Sequence, residues 1–254
     1  SSSNVSDSKV LAPAMYLPKS PVYPDKNRNY LIALLIAILL PISLMLIKEL
    51  INDRIMTRVD LERITNIPIL GIISRNYSGH TLLSSQSPKS AEFEGFRALR
   101  SNLNFFNPLS EKRVYLVTSS ISGEGKTYIA ENLAIVFAKS GKKTIVLGAD
   151  LRRPRLYNDF NLNNDVGISS YILNTLPLSS SIKETGIENL DILVSGPLPA
   201  SPSDLLLAPD FRKMMDKLKE IYDIIILDTP PLGLVADSLT LMKYSDVNIY
   251  MIRK

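Results

Sequence analysis

The hydrophobic pattern contains one long unbroken apolar run. Residues 30–47, eighteen in number, include no charged side chain, and polar residues flank them at 25–29 and at Lys48 and Glu49. At about 1.5 Å per residue such a helix extends about 27 Å, which matches the hydrocarbon core of a bilayer. Membrane helices tolerate an internal proline such as Pro41. Because no polar face interrupts the run, the pattern favours a transmembrane helix over the alternative, a buried helix of a soluble core.

The position and flanks of this run bear on its type and orientation. It begins 30 residues into the sequence, and no small-residue cleavage site follows it, so a signal peptide is disfavoured. Four basic residues precede the run and four follow it closely, so the positive-inside rule does not orient it.

The run divides the chain into four predicted parts. Residues 1–29 form a polar arm with several prolines, which favour extended backbone. Residues 30–47 span the membrane. Residues 48–90 form a connector that ends in a serine-rich stretch without periodicity, which we interpret as a flexible linker. Residues 91–254 form the compact domain.

Within the compact domain, short apolar runs alternate with amphipathic segments. Apolar residues at helical spacing predict helices over 91–106, about 126–140 and 210–222. Apolar runs predict five strands, at 114–119, 144–148, 190–196, 223–228 and 247–252. The run at 223–228 is apolar on both faces, as in the middle of a parallel sheet. This alternation predicts an α/β domain with a doubly wound, mostly parallel sheet.

A glycine-containing loop joins the first predicted strand to the next helix. It reads SISGEGKT from Ser120 to Thr127, the strand–loop–helix context of a P-loop, with serine in place of the usual first glycine. In this motif backbone N–H groups and the helix N-terminus bind phosphate, the lysine reaches the terminal phosphates and the hydroxyl binds Mg²⁺. A simple glycine turn before a helix is the alternative. The candidate ATP-binding residues are Ser122, Gly123, Glu124, Gly125, Lys126, Thr127 and Tyr128.

Two acidic residues follow other predicted strands and favour the nucleotide-binding interpretation. Asp228 ends the most apolar strand, and Asp150 follows the second strand in the sequence GADLRRP. Ligands of open α/β sheets bind outside the carboxyl ends of the strands, where a Walker B acid orders the Mg²⁺ shell. The predicted metal-site residues are therefore Thr127, Asp150 and Asp228, and the predicted catalytic residues are Lys126, Asp150 and Asp228.

Composition and charge exclude several other classes of site. The chain has no cysteine and one histidine, His80, so thiolate metal sites, catalytic thiols and multi-histidine metal sites are excluded or nearly so. The formal net charge is +4, too small without a basic patch to indicate a nucleic-acid partner, and we expect none.

The helix over 91–106 also carries a charged stripe, Glu94, Arg97 and Arg100. On spacing alone, an ordinary solvated face is the simpler interpretation.

These motifs together resemble the bacterial tyrosine kinases of the polysaccharide co-polymerase, or chain-length determinant, family. SSISGEGKT is similar to the family's Walker A motif, GADLRRP to its Walker A′ motif and IIILDTPP to its Walker B motif. EGFRALR is similar to its E-x-x-R-x-x-R helix, and the proline-rich arm to the segment before its second transmembrane helix. The family tolerates serine at position 120, and Ile121 stands where related partition ATPases carry a lysine. The A′ motif departs from the family at Gly148, where an acid is usual.

The resemblance implies a function, partners and a location. It implies a Mg²⁺- and ATP-dependent tyrosine autokinase that regulates capsular or exopolysaccharide polymerisation and export. It also implies a ring of identical subunits joined through Glu94, Arg97 and Arg100, contact with the polymerase and export machinery, and the bacterial inner membrane, with residues 48–254 cytoplasmic. Asp150 would activate the acceptor hydroxyl. The alternative is a nucleotide-sensing assembly module without kinase activity, which Gly148 and the lack of a C-terminal tyrosine cluster in this sequence would favour.

Overall fold

The computed structural model describes residues 25–51, 58–74, 76, 79, 81–85, 89–106 and 113–253. The arm over 1–24, His80 and parts of the predicted linker lie outside the described residues. The chain separates into two compact units, residues 1–61 and 62–254.

The first unit contains the predicted membrane helix. Helix α1 runs from Lys26–Leu50 without a break at Pro41. Within the stretch Lys26–Lys48, an eighteen-residue window has a mean hydropathy of 2.8, and the helix is long and apolar enough to cross a membrane. All its described side chains are exposed, which is incompatible with a helix buried in this unit. The helix is longer than the apolar run because the polar flanks at both ends extend it.

The second unit is built around one six-stranded sheet. Its strands are β1 (Arg113–Ser119), β2 (Thr144–Gly148), β3 (Lys183–Glu184), β4 (Leu190–Leu193), β5 (Ile224–Asp228) and β6 (Val247–Met251), in the order β3-β4-β2-β5-β1-β6. All neighbouring strands are parallel except β3 and β4, which are antiparallel. The sheet confirms the prediction of a doubly wound, mostly parallel fold. The short edge strand β3 was missed because a polar two-residue strand leaves no apolar pattern.

Helices lie against both faces of the sheet. They are α3 (Ala91–Phe106), α4 (Lys126–Ala138), α5 (Leu156–Asp159), α6 (Ile168–Ile172), α7 (Leu178–Ser181), α8 (Pro202–Leu207), α9 (Pro209–Ile221) and α10 (Asp237–Met242). The short helix α2 (Arg58–Ile64) precedes them in the chain and has no buried residue. Helix α2 crosses the boundary between the two units. Helices α3 and α4 share one apolar cluster with Tyr115 and Val117 of β1. Helix α9 belongs to a second cluster, with Val114 and Leu116.

All seven residues of β1 are buried, and successive side chains of a strand point to opposite faces of the sheet. Both faces of β1 are therefore covered, as in a sheet that lies between two layers of helices. A short segment of the predicted linker also packs against this domain. Leu83 is fully buried in the cluster that contains α4, and its backbone N–H donates to Asn132 Oδ1 at 2.7 Å.

Candidate functional site

The P-loop lies between the end of β1 at Ser119 and the start of α4 at Lys126. Gly123 and Gly125 have φ values of 87° and 98°, which side-chain-bearing residues rarely adopt. A Cβ atom at Gly123 would meet nothing within 4 Å, so the loop is open there. Gly125 caps α4, whose first backbone N–H groups have no partners within the helix. The loop therefore presents backbone donors and the positive end of a thirteen-residue helix to the same space.

Lys126 is held at the base of this loop. Its side chain is buried, and Nζ donates to Ser119 Oγ at 3.1 Å. Ser119 Oγ in turn donates to the carbonyl of Ile121 at 2.8 Å. The ammonium group is therefore fixed between the end of β1 and the start of α4. Sequence reasoning did not single out Ser119, because a serine at a strand end has no distinctive spacing.

The structure brings together Thr127 and Asp228, two of the three residues in the predicted metal site. Thr127 Oγ1 donates to Asp228 Oδ2 at 2.8 Å. Asp228 is buried, and its other oxygen, Oδ1, has no hydrogen-bond partner among the described residues. The pKa of Asp228 rises to about 7, mainly because the carboxyl is buried; the charge of Asp150 contributes to the rise, and the Thr127 hydrogen bond and the charge of Lys126 oppose it. A buried carboxyl with one free oxygen suits a cation and its ordered water.

Asp150 lies at the same edge of the sheet. Its Oδ1 accepts hydrogen bonds from the backbone N–H groups of Arg152 and Arg153, at 3.2 and 3.0 Å, which fixes the carboxylate in a turn. Two residues earlier, Gly148 pairs in register with Asp228 of β5. A Cβ atom at Gly148 would lie 3.4 Å from both the Leu156 side chain and a backbone nitrogen. Both distances are those of ordinary van der Waals contact. With glycine at 148, Asp150 is the acid that this motif supplies.

Side-chain hydrogen bonds hold the segment after Asp150 in place. Arg152 Nε donates to Asp237 Oδ2 at 2.7 Å, Arg152 Nη2 donates to Ser203 Oγ at 2.8 Å, and Ser203 Oγ donates to Asp237 Oδ1 at 2.7 Å. These bonds tie the A′ segment to α8 and α10. Although burial opposes the shift, the hydrogen bonds from Arg152 and Ser203 and the Arg152 charge hold the pKa of Asp237 below its usual value. Sequence reasoning missed Asp237 and Ser203 because their partners lie far away in the chain.

The loop after Asp228 is fastened to the P-loop backbone. The N–H groups of Leu232 and Gly233 donate to the carbonyls of Ser119 and Ser120, at 2.8 and 3.0 Å. A Cβ atom at Gly233 would lie 2.4 Å from Ser120 O, so a side chain cannot be accommodated without movement. Glycine at 233 is therefore required for this close backbone approach.

We expect Gly233→Ala to weaken Mg²⁺-nucleotide binding by about 1–3 kcal/mol, because the clash displaces the P-loop backbone. Nucleotide titration of the full chain would measure the effect. Gly71→Ala is the matched control, since a Cβ atom there would meet only a side-chain carbon at 3.9 Å. Unchanged affinity in the Gly233 variant would contradict this coupling.

Glu131 on α4 is a buried acid that the sequence did not single out. It is fully buried, and neither carboxyl oxygen has a hydrogen-bond partner by distance and angle among the described residues. Burial raises its pKa to about 10, with further contributions from the charges of Asp159 and Asp228. Its carboxyl group is therefore neutral at physiological pH, and its proton is lost on unfolding at neutral pH.

A neutral Glu131 makes stability depend on pH. The unfolded chain ionises this group near its ordinary value of 4.5, so its contribution to stability falls by up to about 1.4 kcal/mol per pH unit above that value. We expect Glu131→Gln to flatten the decline in melting temperature between pH 5 and pH 8. Exposed Glu188→Gln should leave the profile unchanged. Parallel profiles for wild type and Glu131→Gln would show that Glu131 is charged in the folded state.

The structure places the remaining predicted P-loop residues in different environments. Ser122 and Gly123 are exposed. Glu124 Oε2 accepts the backbone N–H of Ile121 at 3.0 Å, so this carboxylate braces the loop itself. The ring of Tyr128 packs edge-on against Phe96 of α3 with centroids 5.7 Å apart, and burial, then the Glu92 charge, raises its pKa. Tyr128 therefore contacts the helix layer behind the loop.

The charged stripe of α3 is only partly engaged within the chain. Arg97 Nη1 binds Glu94 Oε1 at 2.9 Å, and their side chains are 47% and 58% exposed. Arg100 Nη1 donates to the carbonyl of Val136 on α4 at 2.9 Å. Glu94 and Arg97 are thus available to a partner, whereas Arg100 also joins two helices of its own chain.

These residues fit a magnesium nucleotide. The open glycine loop and helix N-terminus suit phosphates, Lys126 supplies a fixed cation, and Thr127 with the unpartnered oxygen of Asp228 suits a hydrated divalent metal. Among the described residues, no group of three or more acidic, histidine or cysteine side chains could hold a metal. The nucleotide's own phosphates would have to complete the coordination.

Comparisons with known proteins show the family to which the chain belongs. Residues 113–252 match the family model described as an AAA domain. The chain is 40% identical over 151 residues to CapB of Staphylococcus aureus, covering 59% of this chain and 66% of the relative. It is 34% identical over 171 residues to tyrosine-protein kinase YwqD of Bacillus subtilis, covering 67% of this chain and 72% of that one. The solved structure of the chimerical protein CapA2B2 superposes with a TM-score of 0.72 at 39% identity, covering 76% of this chain and 84% of that one.

The extent of these matches differs among relatives. The chain spans only 34–35% of the length of several longer curated relatives, one of them named for the cps region of Klebsiella pneumoniae. The match to the family model, over residues 113–252, covers the sheet, the P-loop and the segments that bear Asp150 and Asp228. With its P-loop NTPase fold, the chain belongs to the family of bacterial tyrosine-protein kinases.

Proposed function

We propose that this protein is a Mg²⁺- and ATP-dependent protein-tyrosine kinase that phosphorylates its own subunits. The observation that supports it most directly is the pairing of Thr127 with buried Asp228, whose second oxygen is free, beside the fixed ammonium group of Lys126. Family membership favours the kinase over a nucleotide-sensing module that lacks phosphotransfer. Residues 122–127 would hold the nucleotide.

Each of these side chains would have a separate role in phosphoryl transfer. Lys126 would neutralise negative charge on the transferred group, since its position is fixed before the reaction. Thr127 would bind the metal, and Asp228 and Asp150 would order its water ligands. Asp150, oriented by two backbone N–H groups, would also accept the proton of a tyrosine hydroxyl from a neighbouring subunit. Bound Mg²⁺-ATP supplies the phosphoryl group and the compensating positive charge.

The apolar helix α1 and the similarity to curated tyrosine-protein kinases suggest a cellular role. We infer that α1 anchors the protein in the bacterial inner membrane, with residues 48–254 on the cytoplasmic side where ATP is available and the arm outside. The protein would regulate capsular or exopolysaccharide polymerisation and export, together with the polymerase and export machinery. The cps-region relative and the resemblance of the motifs support this role.

We further propose that identical subunits form a ring through Glu94, Arg97 and Arg100. Within α3 the exposed Glu94–Arg97 pair stabilises its helix by only about 0.3–0.5 kcal/mol. At a subunit boundary that is repeated around a ring, the same charges can determine specificity and contribute more.

We expect Arg97→Ala to shift the oligomer towards monomer while its melting temperature stays within about 2 °C of wild type, because only a surface pair is lost. Light scattering at matched concentration with Mg²⁺-nucleotide would measure the mass. Lys213→Ala is the matched control, because it removes a similar surface pair with Asp210, three residues apart on α9. If Arg97→Ala left the mass of the oligomer unchanged, the charged stripe would be an ordinary solvated helix face and not a subunit interface.

The kinase proposal can be tested with an external acceptor. The chain in detergent micelles would be incubated with Mg²⁺-ATP and a random copolymer of glutamate and tyrosine, and phosphotyrosine would be measured by mass spectrometry. The proposal predicts phosphotyrosine that requires both ATP and Mg²⁺. Hydrolysis of ATP with no phosphotyrosine would contradict it and favour the assembly module.

A further inference from the structure

The end of strand β6 lies against the outer side of the P-loop. β6 is an edge strand of the sheet, and it pairs with β1 so that Tyr250 is beside Thr118. The hydroxyl groups of Tyr250 and Ser120 share a hydrogen bond. Just beyond the strand, Arg253 Nη1 donates to the carbonyl of Gly123 at 3.0 Å. The C-terminal end of β6 therefore contacts the loop that would hold the phosphates of the nucleotide.

The contact between the two hydroxyl groups depends on a departure from the usual P-loop. Ser120 stands where the motif ordinarily has glycine, which carries no side-chain hydroxyl. In this chain the first residue of the loop is thus joined to the phenol of Tyr250. Any chemical change at the Tyr250 hydroxyl therefore acts directly on the P-loop.

Tyr250 is also the most exposed tyrosine that the structure describes in residues 62–254, at 47%. The other described tyrosines of this unit are buried or half-buried: Tyr115, Tyr128, Tyr157, Tyr171, Tyr222 and Tyr244. Because β6 is an edge strand, no described strand lies beyond it to cover the phenol. The hydroxyl is released for reaction by breaking its exposed hydrogen bond to Ser120.

We propose that Tyr250 is a phosphorylation site of this protein, and that its modification weakens nucleotide binding by the same subunit. This inference rests on the proposed function, because the phosphoryl donor is Mg²⁺-ATP bound to a second copy of the chain. The Tyr250 oxygen forms a bond to the terminal phosphorus of ATP while the bond from that phosphorus to the bridging oxygen breaks. ADP leaves with the electron pair of that bond, and the phenolic proton passes to Asp150 of the second copy.

Phosphorylation of Tyr250 places negative charge beside the phosphate-binding loop. A phosphorylated tyrosine carries about −1.5 to −2 charges at pH 7 and has lost the phenolic proton. Tyr250 and Met251 pair in register with Thr118 and Ser119, so this charge lies at the edge of the sheet from which the P-loop starts. It repels the phosphates of ATP and ADP and competes with them for the N–H donors of the loop. The modified subunit therefore binds either nucleotide more weakly.

The site is tested with the full chain in detergent micelles, incubated with Mg²⁺-ATP and the glutamate–tyrosine copolymer. Trypsin cleaves after Lys243 and Arg253, so Tyr244 and Tyr250 fall in one peptide, and fragmentation in the mass spectrometer distinguishes them. We expect phosphate on Tyr250 and none on Tyr244, which is half-buried with its ring centroid 5.3 Å from that of Phe211.

The outcome for the site is separable from that for the kinase. Phosphorylated copolymer with Tyr250 unmodified would refute the phosphorylation site and leave the kinase proposal standing. No phosphotyrosine on either the copolymer or the chain would refute the kinase proposal, and the site with it.

The effect on the nucleotide site is measured by titrating Mg²⁺-ADP into variants of the full chain. Tyr250→Glu, which places negative charge beside Ser120, should weaken binding at least roughly tenfold, whereas the uncharged Tyr250→Phe should change it by less than about threefold. Asn248→Glu is the matched control, because it adds the same charge at an exposed position on the same face of β6, two residues earlier. It should also change the affinity by less than about threefold.

Three results of these titrations would overturn the regulatory role. They are unchanged affinity in Tyr250→Glu, equal losses in the two glutamate variants, and equal losses in Tyr250→Glu and Tyr250→Phe. The last result would show that the hydrogen bond to Ser120, and not charge at this position, determines nucleotide affinity.

Discussion

Lys126→Met is expected to reduce ATP-dependent phosphotransfer by roughly two to three orders of magnitude or more. The variant removes the fixed cation that would stabilise charge on the transferred phosphoryl group, an effect of the size seen when one preorganised electrostatic group is deleted. Initial rates of phosphotyrosine formation at saturating ATP would measure the loss.

The fold should survive this substitution. The Lys126 side chain is buried and its ammonium group has one described hydrogen bond, to Ser119. Methionine has a similar length and removes a buried charge without adding volume, so the melting temperature should change by only a few degrees. Lys243→Met, at an exposed site, is the control for loss of a lysine. A Lys126 variant with wild-type rates would exclude this residue from the reaction.

Asp228→Asn is expected to lower Mg²⁺-dependent nucleotide affinity by about 10- to 100-fold. An amide can keep the contact with the Thr127 hydroxyl but cannot supply the negative charge that orders the metal's water ligands. Nucleotide titrations in Mg²⁺ and in excess chelator would separate the two contributions. In chelator the affinity should change by less than about threefold, because the residue acts through the metal.

Two outcomes of these titrations would contradict that role. Equal losses with and without Mg²⁺ would show that Asp228 only supports the P-loop backbone. An unchanged affinity in both conditions would remove Asp228 from the site.

The regular elements of the fold could be predicted from the sequence because their side-chain patterns are strong. The strand over 223–228 is uniformly apolar, and the helix 210–222 has a clear apolar stripe, and both appear with small changes at their ends. The predicted end of α4 at about Ser140 is two residues late, because Gly141 takes a left-handed conformation beyond a cap at Lys139. Helices α5 to α8 and α10 have only four to six residues, too few for a periodic pattern.

The site was predictable where chemistry and topology coincide. Asp228 follows a buried strand and Lys126 opens a helix after glycines, so their meeting follows from parallel-sheet geometry. The Arg152–Asp237 pair and the contact of Gly233 with Ser120 were not predictable. They join segments that are 85 and 113 positions apart, and no local spacing encodes such a contact.

The central claim is that the P-loop of one subunit drives tyrosine phosphorylation of another. It is tested most directly by mixing unlabelled wild-type chain with isotopically heavy Lys126→Met chain in detergent micelles, adding Mg²⁺-ATP, and locating phosphotyrosine by mass spectrometry. The account predicts phosphotyrosine on heavy peptides only when the wild-type chain is present. Phosphotyrosine on the Lys126→Met chain incubated alone, or none on either chain in the mixture, would contradict it.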